Sequence, residues 1–231
     1  MGPVTISINT VSYIKEKFGH HIGNPHKLEG FLREDMYRLF AQLGFTVGCE
    51  IGVEKGKNAQ TMFEIIPNLK LYAVDPYKQH TRLSNGATGY LRHFDDRYLR
   101  MVKRQAQKRL QGRNAEIIEK FSGDAVKDIP DNCLDFVYID GDHSYDFVML
   151  DIIVWGRKVR KGGIVSGHDY FYNNDKEGRR AKVTQAINDY TKVHNIEFYI
   201  TGEDAYVKKG DTSPSWFWVK KEDIWPNIVG A

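Results

Sequence analysis

The stretch CEIGVEKGKNAQTM, residues 49–62, has glycines spaced as in a nucleotide-binding turn, but a carboxylate replaces the first of them. A dinucleotide-binding turn has the spacing G-x-G-x-x-G, and its backbone N–H groups hold a pyrophosphate at the start of a helix. Here Glu50 stands at the first position, and Gly52 and Gly56 follow it. The carboxylate would repel a pyrophosphate and attract an ammonium group. The turn therefore favours a ligand with an ammonium group and no phosphate, which the two glycines would allow to approach closely.

Acidic residues also follow the next three predicted strands. Asp75 lies 19 residues after Gly56 (75 − 56), where an acid can bind both hydroxyls of a ribose. In the segment SGDA, residues 122–125, Asp124 can accept a hydrogen bond from the exocyclic amine of adenine. The segment YIDGDHSY, residues 138–145, ends the fourth strand. S-adenosylmethionine combines an adenosine, a sulfonium and a free amino acid, and it is a ligand that suits these positions together.

Strands and helices alternate along the chain, which indicates a mostly parallel sheet with helices on both faces. We predict an α/β fold with a Rossmann-like, doubly wound, seven-stranded sheet whose last strand is antiparallel. Ligands of such sheets bind at the carboxyl ends of the strands. The predicted strands lie in residues 45–53, 70–77, 115–125, 134–143, 162–170, 196–210 and 213–221. The predicted helices lie in residues 27–44, 57–67, 95–112, 146–159 and 182–194.

The predicted domain organisation consists of two regions, the second of which contains an insertion. Residues 1–45 form an N-terminal helical lead-in, and residues 46–231 form the main domain. A basic helical insertion lies near 77–113, and its first part is a Gly-, Ser-, Asn- and Thr-rich stretch that we interpret as a functional loop. The lead-in segment HHIGNPH favours a solvated loop over a metal site, because no cysteine or acid accompanies its histidines.

Together, these acidic strand ends resemble the class I S-adenosylmethionine-dependent methyltransferases. The segment DFVYIDGDHSYDFVMLDIIVWGRKVRKGGIVSGHDY, residues 135–170, resembles a branch that is similar to sugar and other small-molecule O-methyltransferases. The resemblance covers about residues 46–220 and implies S-adenosylmethionine as the cofactor. The cofactor-site positions that it implies are Glu50, Gly52, Gly56, Asp75, Ser122, Gly123, Asp124, Ala125 and Asp140. Ser122, Gly123 and Ala125 would contribute backbone around the adenine.

Transfer of a methyl group to a hydroxyl requires removal of the hydroxyl proton, and the sequence offers two routes. His143 and His168 follow the fourth and fifth strands, and either could be the base. Alternatively, Asp140 and Asp169 end adjacent strands and, with His168, could hold a divalent cation, as in related O-methyltransferases that use Mg²⁺. A histidine ligand suits Mn²⁺, Fe²⁺ or Zn²⁺ better than Mg²⁺. Asp142 is an alternative ligand.

Each acid of the proposed cofactor site also has a purely structural interpretation. Glu50 could cap a helix or form an ion pair, and Asp75, which precedes Pro76, could be a turn residue. Asp124 could be the N-cap of the next segment. Three acids at three consecutive strand ends are harder to explain by coincidence, so we favour a ligand site.

The acceptor is left open by the sequence, but two basic segments suggest that it is acidic. One is residues 91–113 and the other is KEGRRAK, residues 176–182, next to the aromatic residues Tyr170, Phe171 and Tyr172. The first could equally be a solvated helix face. A small molecule ranks above nucleic acid, since no RNA-binding module accompanies these charges.

Three alternatives remain beside a small-molecule methyltransferase: a non-catalytic nucleotide-binding module of the same fold, an RNA methyltransferase, and a nucleotide-dependent oxidoreductase. The oxidoreductase would require the glycine that Glu50 replaces. The chain of 231 residues has a net charge of +3, which is too balanced to indicate nucleic acid. Its two cysteines, the absence of an 18-residue apolar run and the absence of a signal peptide predict a cytoplasmic protein without a membrane partner. The oligomeric state is left open.

Overall fold

The computed structural model describes residues 9–19, 23–78, 95–170, 181–202 and 213–222. The helices are α1 (Thr10–Phe18), α2 (Arg33–Gln42), α3 (Lys57–Ile65), α4 (Asp96–Leu110), α5 (Ser122–Ala125), α6 (Tyr145–Gly156) and α7 (Ala181–Val193). The strands are β1 (His26–Leu28), β2 (Val47–Ile51), β3 (Lys70–Val74), β4 (Ala115–Ile118), β5 (Leu134–Ile139), β6 (Val159–Gly167), β7 (Tyr199–Thr201) and β8 (Trp216–Val219). A single 3₁₀ turn, Val126–Asp128, follows α5.

The strands within these ranges form one sheet in the order β1-β7-β8-β6-β5-β2-β3-β4. The strands β2 to β6 pair in parallel, whereas β8 is antiparallel to both β6 and β7, which confirms the predicted Rossmann-like sheet with an antiparallel last strand. The predicted count of seven strands was wrong by one. The additional strand is β1, which pairs in parallel with β7. It has only three residues, and too short a run carries no alternation from which to predict a strand.

Helices cover both faces of the sheet, and each face has its own apolar core. One core contains side chains of α1 to α4, and the other contains side chains of α5 to α7. Alternate residues of β5 divide between the two: Phe136 and Tyr138 enter the first core, and Val137 and Ile139 enter the second. Burial on both faces explains why β5 is apolar apart from Asp135, which pairs with Arg160, as expected for a central parallel strand.

The basic segment forms α4, the crossover helix between β3 and β4. Asp95 caps α4 by accepting a hydrogen bond from the Tyr98 N–H, and Leu99, Val102 and Ala106 bury one face of the helix. Arg33–Gln42 of the lead-in packs as α2 in the same core, so part of the predicted lead-in contributes to the main fold. The proposed domain boundaries stay a prediction.

Several sequence-based expectations concern residues outside the described ranges. They are His20 and His21, the greater part of the loop near 77–93, Arg92, Phe171, Tyr172, Arg179 and Arg180. Among the helices that are described, none combines the length and the apolar composition that a membrane span requires.

Candidate active site

The carboxyl ends of five adjacent strands, β4-β3-β2-β5-β6, form the floor of the candidate site. Just beyond the ends of β2, β3, β5 and β6, one more residue still hydrogen-bonds to a neighbouring strand. The backbone N–H groups that donate these bonds, at 2.8 to 3.2 Å, belong to Gly52, Asp75, Asp140 and His168. These four residues therefore leave the sheet at the same edge. The neighbours β2 and β5 lie on opposite sides of the point where the strand order reverses, which is where ligands of such sheets bind.

A cavity of about 630 Å³ opens at this edge. This volume is within the range of small-molecule sites. It brings together ten of the predicted residues: Gly52, Asp75, Ser122, Gly123, Asp124, Asp140, His143, His168, Asp169 and the alternative ligand Asp142. The other three, Glu50, Gly56 and Ala125, do not line it.

Glu50 is fully buried in β2. Its Oε1 accepts a hydrogen bond from Asn58 Nδ2 at 2.8 Å, and the Tyr37 hydroxyl donates to Asn58 Oδ1 at 2.6 Å. Its Oε2 is also buried and has no hydrogen-bond partner in the part of the chain that the structure describes. Burial raises the pKa of this carboxyl to about 8, although the bond from Asn58 opposes the rise. The predicted contact with an ammonium group stays a prediction.

The two glycines of the turn have different reasons to be glycine. Gly52 lines the cavity with a φ of 90°, and a Cβ there would lie 2.0 Å from the carbonyl oxygen of Asp140. Gly56 has a φ of 72° and precedes α3, and a Cβ there would lie 3.1 Å from Ala106 Cα. Gly52 thus permits the close approach of β2 and β5, whereas Gly56 permits the packing of α4 on the turn.

Asp75 is a turn residue and also part of the cavity wall. Its Oδ2 accepts a hydrogen bond from the Glu54 N–H at 2.9 Å, and its Oδ1 accepts one from the Tyr77 N–H at 2.8 Å. Burial raises its pKa, and these backbone donors oppose the rise. Each carboxylate oxygen can accept a further hydrogen bond, so the structural role leaves room for a ligand.

The segment SGDA forms the short helix α5 rather than the end of β4. Its N-cap is Phe121, so the interpretation of Asp124 as an N-cap was wrong. The Asp124 side chain is 64% exposed and pairs with Lys127 Nζ at 3.0 Å. Ala125 is fully buried in the core beneath. Of this segment, the residues 122–124 line the cavity.

Two carboxylates and two histidines meet at the end of the cavity beside β5 and β6. His143 Nε2 lies 2.9 Å from Asp169 Oδ2 and 3.6 Å from Asp140 Oδ1. His168 Nδ1 lies 3.4 Å from Asp169 Oδ1 and 3.8 Å from Asp140 Oδ1. Asp169 has a φ of 63°, and it accepts a hydrogen bond from the Ser213 hydroxyl. We call Asp140, His143, His168 and Asp169 the acid–histidine cluster.

Ion pairing dominates the protonation of this cluster. Burial lowers the pKa of His143, but the carboxylates of Asp140 and Asp169 outweigh burial and raise it to about 10. Burial raises the pKa of Asp169, but hydrogen bonds with His143 and His168 outweigh it and lower the pKa well below its usual range. At neutral pH, His143 is therefore a cation and Asp169 an anion.

The same cluster has the geometry of a divalent cation site. Ligand atoms of Asp140, His143 and Asp169 all lie within 4.8 Å of one another. The sequence-based set of His168 with the two acids stays a prediction, and within the described residues the set whose ligand atoms come this close contains His143 instead. One nitrogen and two oxygens suit Mn²⁺, Fe²⁺ or Zn²⁺.

Two carboxylates of the cavity wall, Glu54 and Asp151, were not predicted. Asp151 lies in α6, is 2% exposed, and lines the cavity. The sequence signal was present, because Asp151 is the one acid inside the apolar run FVMLDIIVW. Such a residue at the buried face of a helix is costly without a partner, which makes it a candidate for ligand binding.

A second cavity, of about 650 Å³, lies along α4, away from the strand ends. Exposed basic side chains line it beside the exposed Met101, and they are Arg97, Arg100, Arg104 and Lys108. These four residues of the basic segment thus present their charges to solvent, whereas Lys103 pairs with Glu119 and Arg109 donates to the Lys55 carbonyl. The Tyr98 hydroxyl donates to Glu54 Oε1 at 3.1 Å, which connects the first turn of this helix to the rim of the main cavity.

Residues 49–170 match the model of a family described as "Methyltransferase domain". The match covers just over half of the chain, and the chain belongs to this family. It includes the glycine turn, the SGDA segment and the acid–histidine cluster.

Comparison with individual proteins agrees with this assignment. An uncharacterized protein of Acanthamoeba polyphaga mimivirus is 24% identical over 169 residues, which cover 71% of this chain and 68% of that protein. A putative caffeoyl-CoA O-methyltransferase from Staphylococcus aureus has a TM-score of 0.57 at 13% identity, covering 92% of each chain. An O-methyltransferase from Bacillus cereus, crystallised with S-adenosylhomocysteine, has a TM-score of 0.54 at 12% identity, covering 94% of this chain and 93% of that one. At these identities, the two structures show a shared fold.

Proposed function

We propose that this protein transfers the methyl group of S-adenosylmethionine to a hydroxyl of a small molecule, with the help of a divalent cation. The observation that carries the proposal is that one cavity joins Asp75 and the residues 122–124 to the acid–histidine cluster. The first group suits a nucleoside, and the second suits the activation of a hydroxyl. A cavity of about 630 Å³ has room for both ligands to meet.

The cofactor end rests on Asp75. Its two backbone hydrogen bonds fix the carboxylate at the cavity wall, so that it is preorganised to accept from two ribose hydroxyls. The bound S-adenosylhomocysteine of the Bacillus cereus O-methyltransferase, which shares the fold, supports the choice of ligand. The positive φ at Gly52 brings the backbone close to the ligand without a side chain between them.

The sulfonium is intrinsically reactive, and the protein mainly has to align the acceptor oxygen with the methyl carbon. Such alignment can supply roughly 7–11 kcal/mol of a barrier. Through their contacts with His143 and His168, Asp140 and Asp169 would fix the end of the cavity where the acceptor binds. Ser213 and His168 both contact Asp169 and orient its carboxylate.

Asp140, His143 and Asp169 are the residues that would hold the cation. A divalent cation supplies Lewis acidity, which lowers the pKa of a bound hydroxyl. His143 carries its proton between two carboxylates, and it must release that proton before Nε2 can bind a cation or accept a proton from substrate. His143 is therefore a weak general base at neutral pH while this ion pair is intact.

The basic face of α4 favours RNA as the second candidate acceptor, because its exposed cations could contact phosphates. A small molecule remains the first candidate, since the acid–histidine cluster lies in the cavity at the strand ends rather than along α4. The two candidates predict methylation of different fractions of a cell extract.

The test is a transfer assay with methyl-labelled S-adenosylmethionine, a metabolite extract and, separately, total RNA. We expect label in the metabolite fraction, loss of label with a chelator, and recovery with Mn²⁺. Asp169→Ala should still bind the cofactor but transfer no label, because it removes a cation ligand. The matched control is Asp146→Ala, which removes an exposed carboxylate of α6 outside the cavity and should keep full activity. Label in RNA alone, or normal transfer by Asp169→Ala, would contradict the proposal.

A further inference from the structure

Asp151 is a buried carboxylate that neither the fold nor the proposed chemistry explains. It lies on α6 at the cavity wall with 2% exposure. Its Oδ1 is buried and has no hydrogen-bond partner among the described residues. Native proteins rarely leave a buried polar atom unpaired, so such an atom at a cavity wall points to a missing partner in a ligand.

The surroundings of Asp151 place that missing partner near α5. Gly123 of α5 lies close to Leu150, which precedes Asp151 in α6, since a Cβ on Gly123 would lie 3.8 Å from Leu150 Cδ2. Gly141 covers the other oxygen of the carboxylate, since a Cβ there would lie 3.8 Å from Asp151 Oδ2. Burial raises the pKa of Asp151 to about 7, a hydrogen bond with Ser122 opposes the rise, and Asp142 adds to it. A hydrogen-bond donor of a ligand would relieve this cost.

Sequence reasoning assigned Asp124 to the exocyclic amine of adenine. Asp124 also reaches the cavity, but its side chain is 64% exposed and it already pairs with Lys127. A hydrogen bond made in water replaces an equivalent bond to water and discriminates little, whereas a buried acceptor loses much if its partner is absent. Of the two carboxylates beside α5, Asp151 is the one able to discriminate between ligands.

We propose that Asp151 recognises the base of the cofactor by accepting a hydrogen bond from the exocyclic amine of adenine. This assignment deepens the proposed function and rests on it. An amine at this position donates to the carboxylate. A carbonyl oxygen at the same position, as in hypoxanthine, would face the carboxylate with no proton between them. Asp151 would thereby select an adenosyl ligand over an inosyl ligand.

The experiment compares the binding of S-adenosylhomocysteine and S-inosylhomocysteine by calorimetry at about pH 8, where the carboxylate is the main form. Wild-type protein should prefer the adenosyl ligand by roughly ten- to a hundredfold, the range of a hydrogen bond to a charged group. Asp151→Ala should lose most of that preference by weakening the adenosyl ligand. Asp151→Asn should keep the adenosyl affinity within a few-fold and gain affinity for the inosyl ligand, because an amide can turn its NH₂ towards a carbonyl.

Asp146→Ala is the matched control on the same helix, and Asp124→Ala tests the rival residue. A purely structural role for Asp151 would lower the melting temperature and leave the adenosyl-to-inosyl ratio unchanged, which would overturn the assignment. Loss of the ratio in Asp124→Ala instead would also overturn it. If wild-type protein bound neither ligand, the proposed function itself would fall, and the assignment with it.

Discussion

The carboxylate of Asp75 accepts two backbone hydrogen bonds, lines the cavity and has the capacity to accept further hydrogen bonds. We expect Asp75→Ala to weaken S-adenosylhomocysteine binding by about 1–3 kcal/mol, since it removes a charge-assisted acceptor. Calorimetric titration of the variant measures this loss.

Asp75→Asn is the control for the structural part of the effect. Its amide oxygen can still accept the hydrogen bond from the Tyr77 N–H, whereas its NH₂ cannot accept the one from the Glu54 N–H, so one of the two turn contacts should be retained. If both variants bound the ligand as wild type does, Asp75 would be a turn residue alone.

Residue chemistry was predictable where it follows the ends of strands. Asp75, Asp140 and Asp169 could be placed together because parallel strands end at one edge. The proximity of His143 to the carboxylates of Asp140 and Asp169 could not be predicted, because it depends on how the loop after β5 folds back. Asp151 was missed because the apolar pattern of α6 predicts only a buried helix face, and it does not single out one acid among the buried residues Val148, Ile152 and Trp155.

At the scale of elements, the approach of β5 to β2 depends on Gly52. We expect Gly52→Ala to destabilise the protein strongly, because the new Cβ would lie 2.0 Å from the Asp140 carbonyl oxygen and the φ is 90°. Chemical denaturation measures the change in the free energy of unfolding.

Gly112→Ala separates backbone strain from the steric clash. Gly112 has a φ of 76°, but a Cβ there would meet nothing within 4 Å. This variant should cost about 1–2 kcal/mol, the strain of the left-handed region alone. Equal costs for the two variants would show that β2 and β5 do not need the close approach.

Elements with a long apolar pattern were predictable, and short ones were not. All six residues of β5 are buried and five of them are apolar, the exception being Asp135, which pairs with Arg160. In contrast, β1 has three residues, two of them polar, and exists only because β7 offers an edge to pair with. The helix predicted for residues 27–44 begins only at Arg33, because β1 occupies the first part of that stretch.

At the scale of the whole molecule, the buried Glu50 makes stability depend on pH. Its pKa is 4.5 in the unfolded chain and about 8 in the folded protein, so folding binds a proton between these values. The stabilisation that comes from protonated Glu50 is fully present below about pH 4.5 and is lost as the pH rises through about 8. Between these values, the free energy of unfolding falls by up to roughly 1.4 kcal/mol per pH unit.

Glu50→Gln should flatten this dependence, because glutamine keeps an oxygen for Asn58 and does not titrate. The measurement is the free energy of unfolding by urea at several pH values for both proteins. Wild type should lose stability relative to the variant as the pH rises. Other groups, among them His143 and Asp151, titrate in both proteins and cancel in the difference. A difference independent of pH would mean that Glu50 is ionised in the folded state.

The most direct test of the central proposal is calorimetric titration of the purified protein with S-adenosylmethionine, S-adenosylhomocysteine and NAD. We predict micromolar binding of the first two, in about a one-to-one ratio, and no heat with NAD, because the turn at Glu50 lacks the glycine that a pyrophosphate requires. The titration should be run with and without Mn²⁺, so that a cation that must bind first is supplied. Binding of NAD, or silence with all three ligands in the presence of Mn²⁺, would contradict the proposal that this cavity holds S-adenosylmethionine.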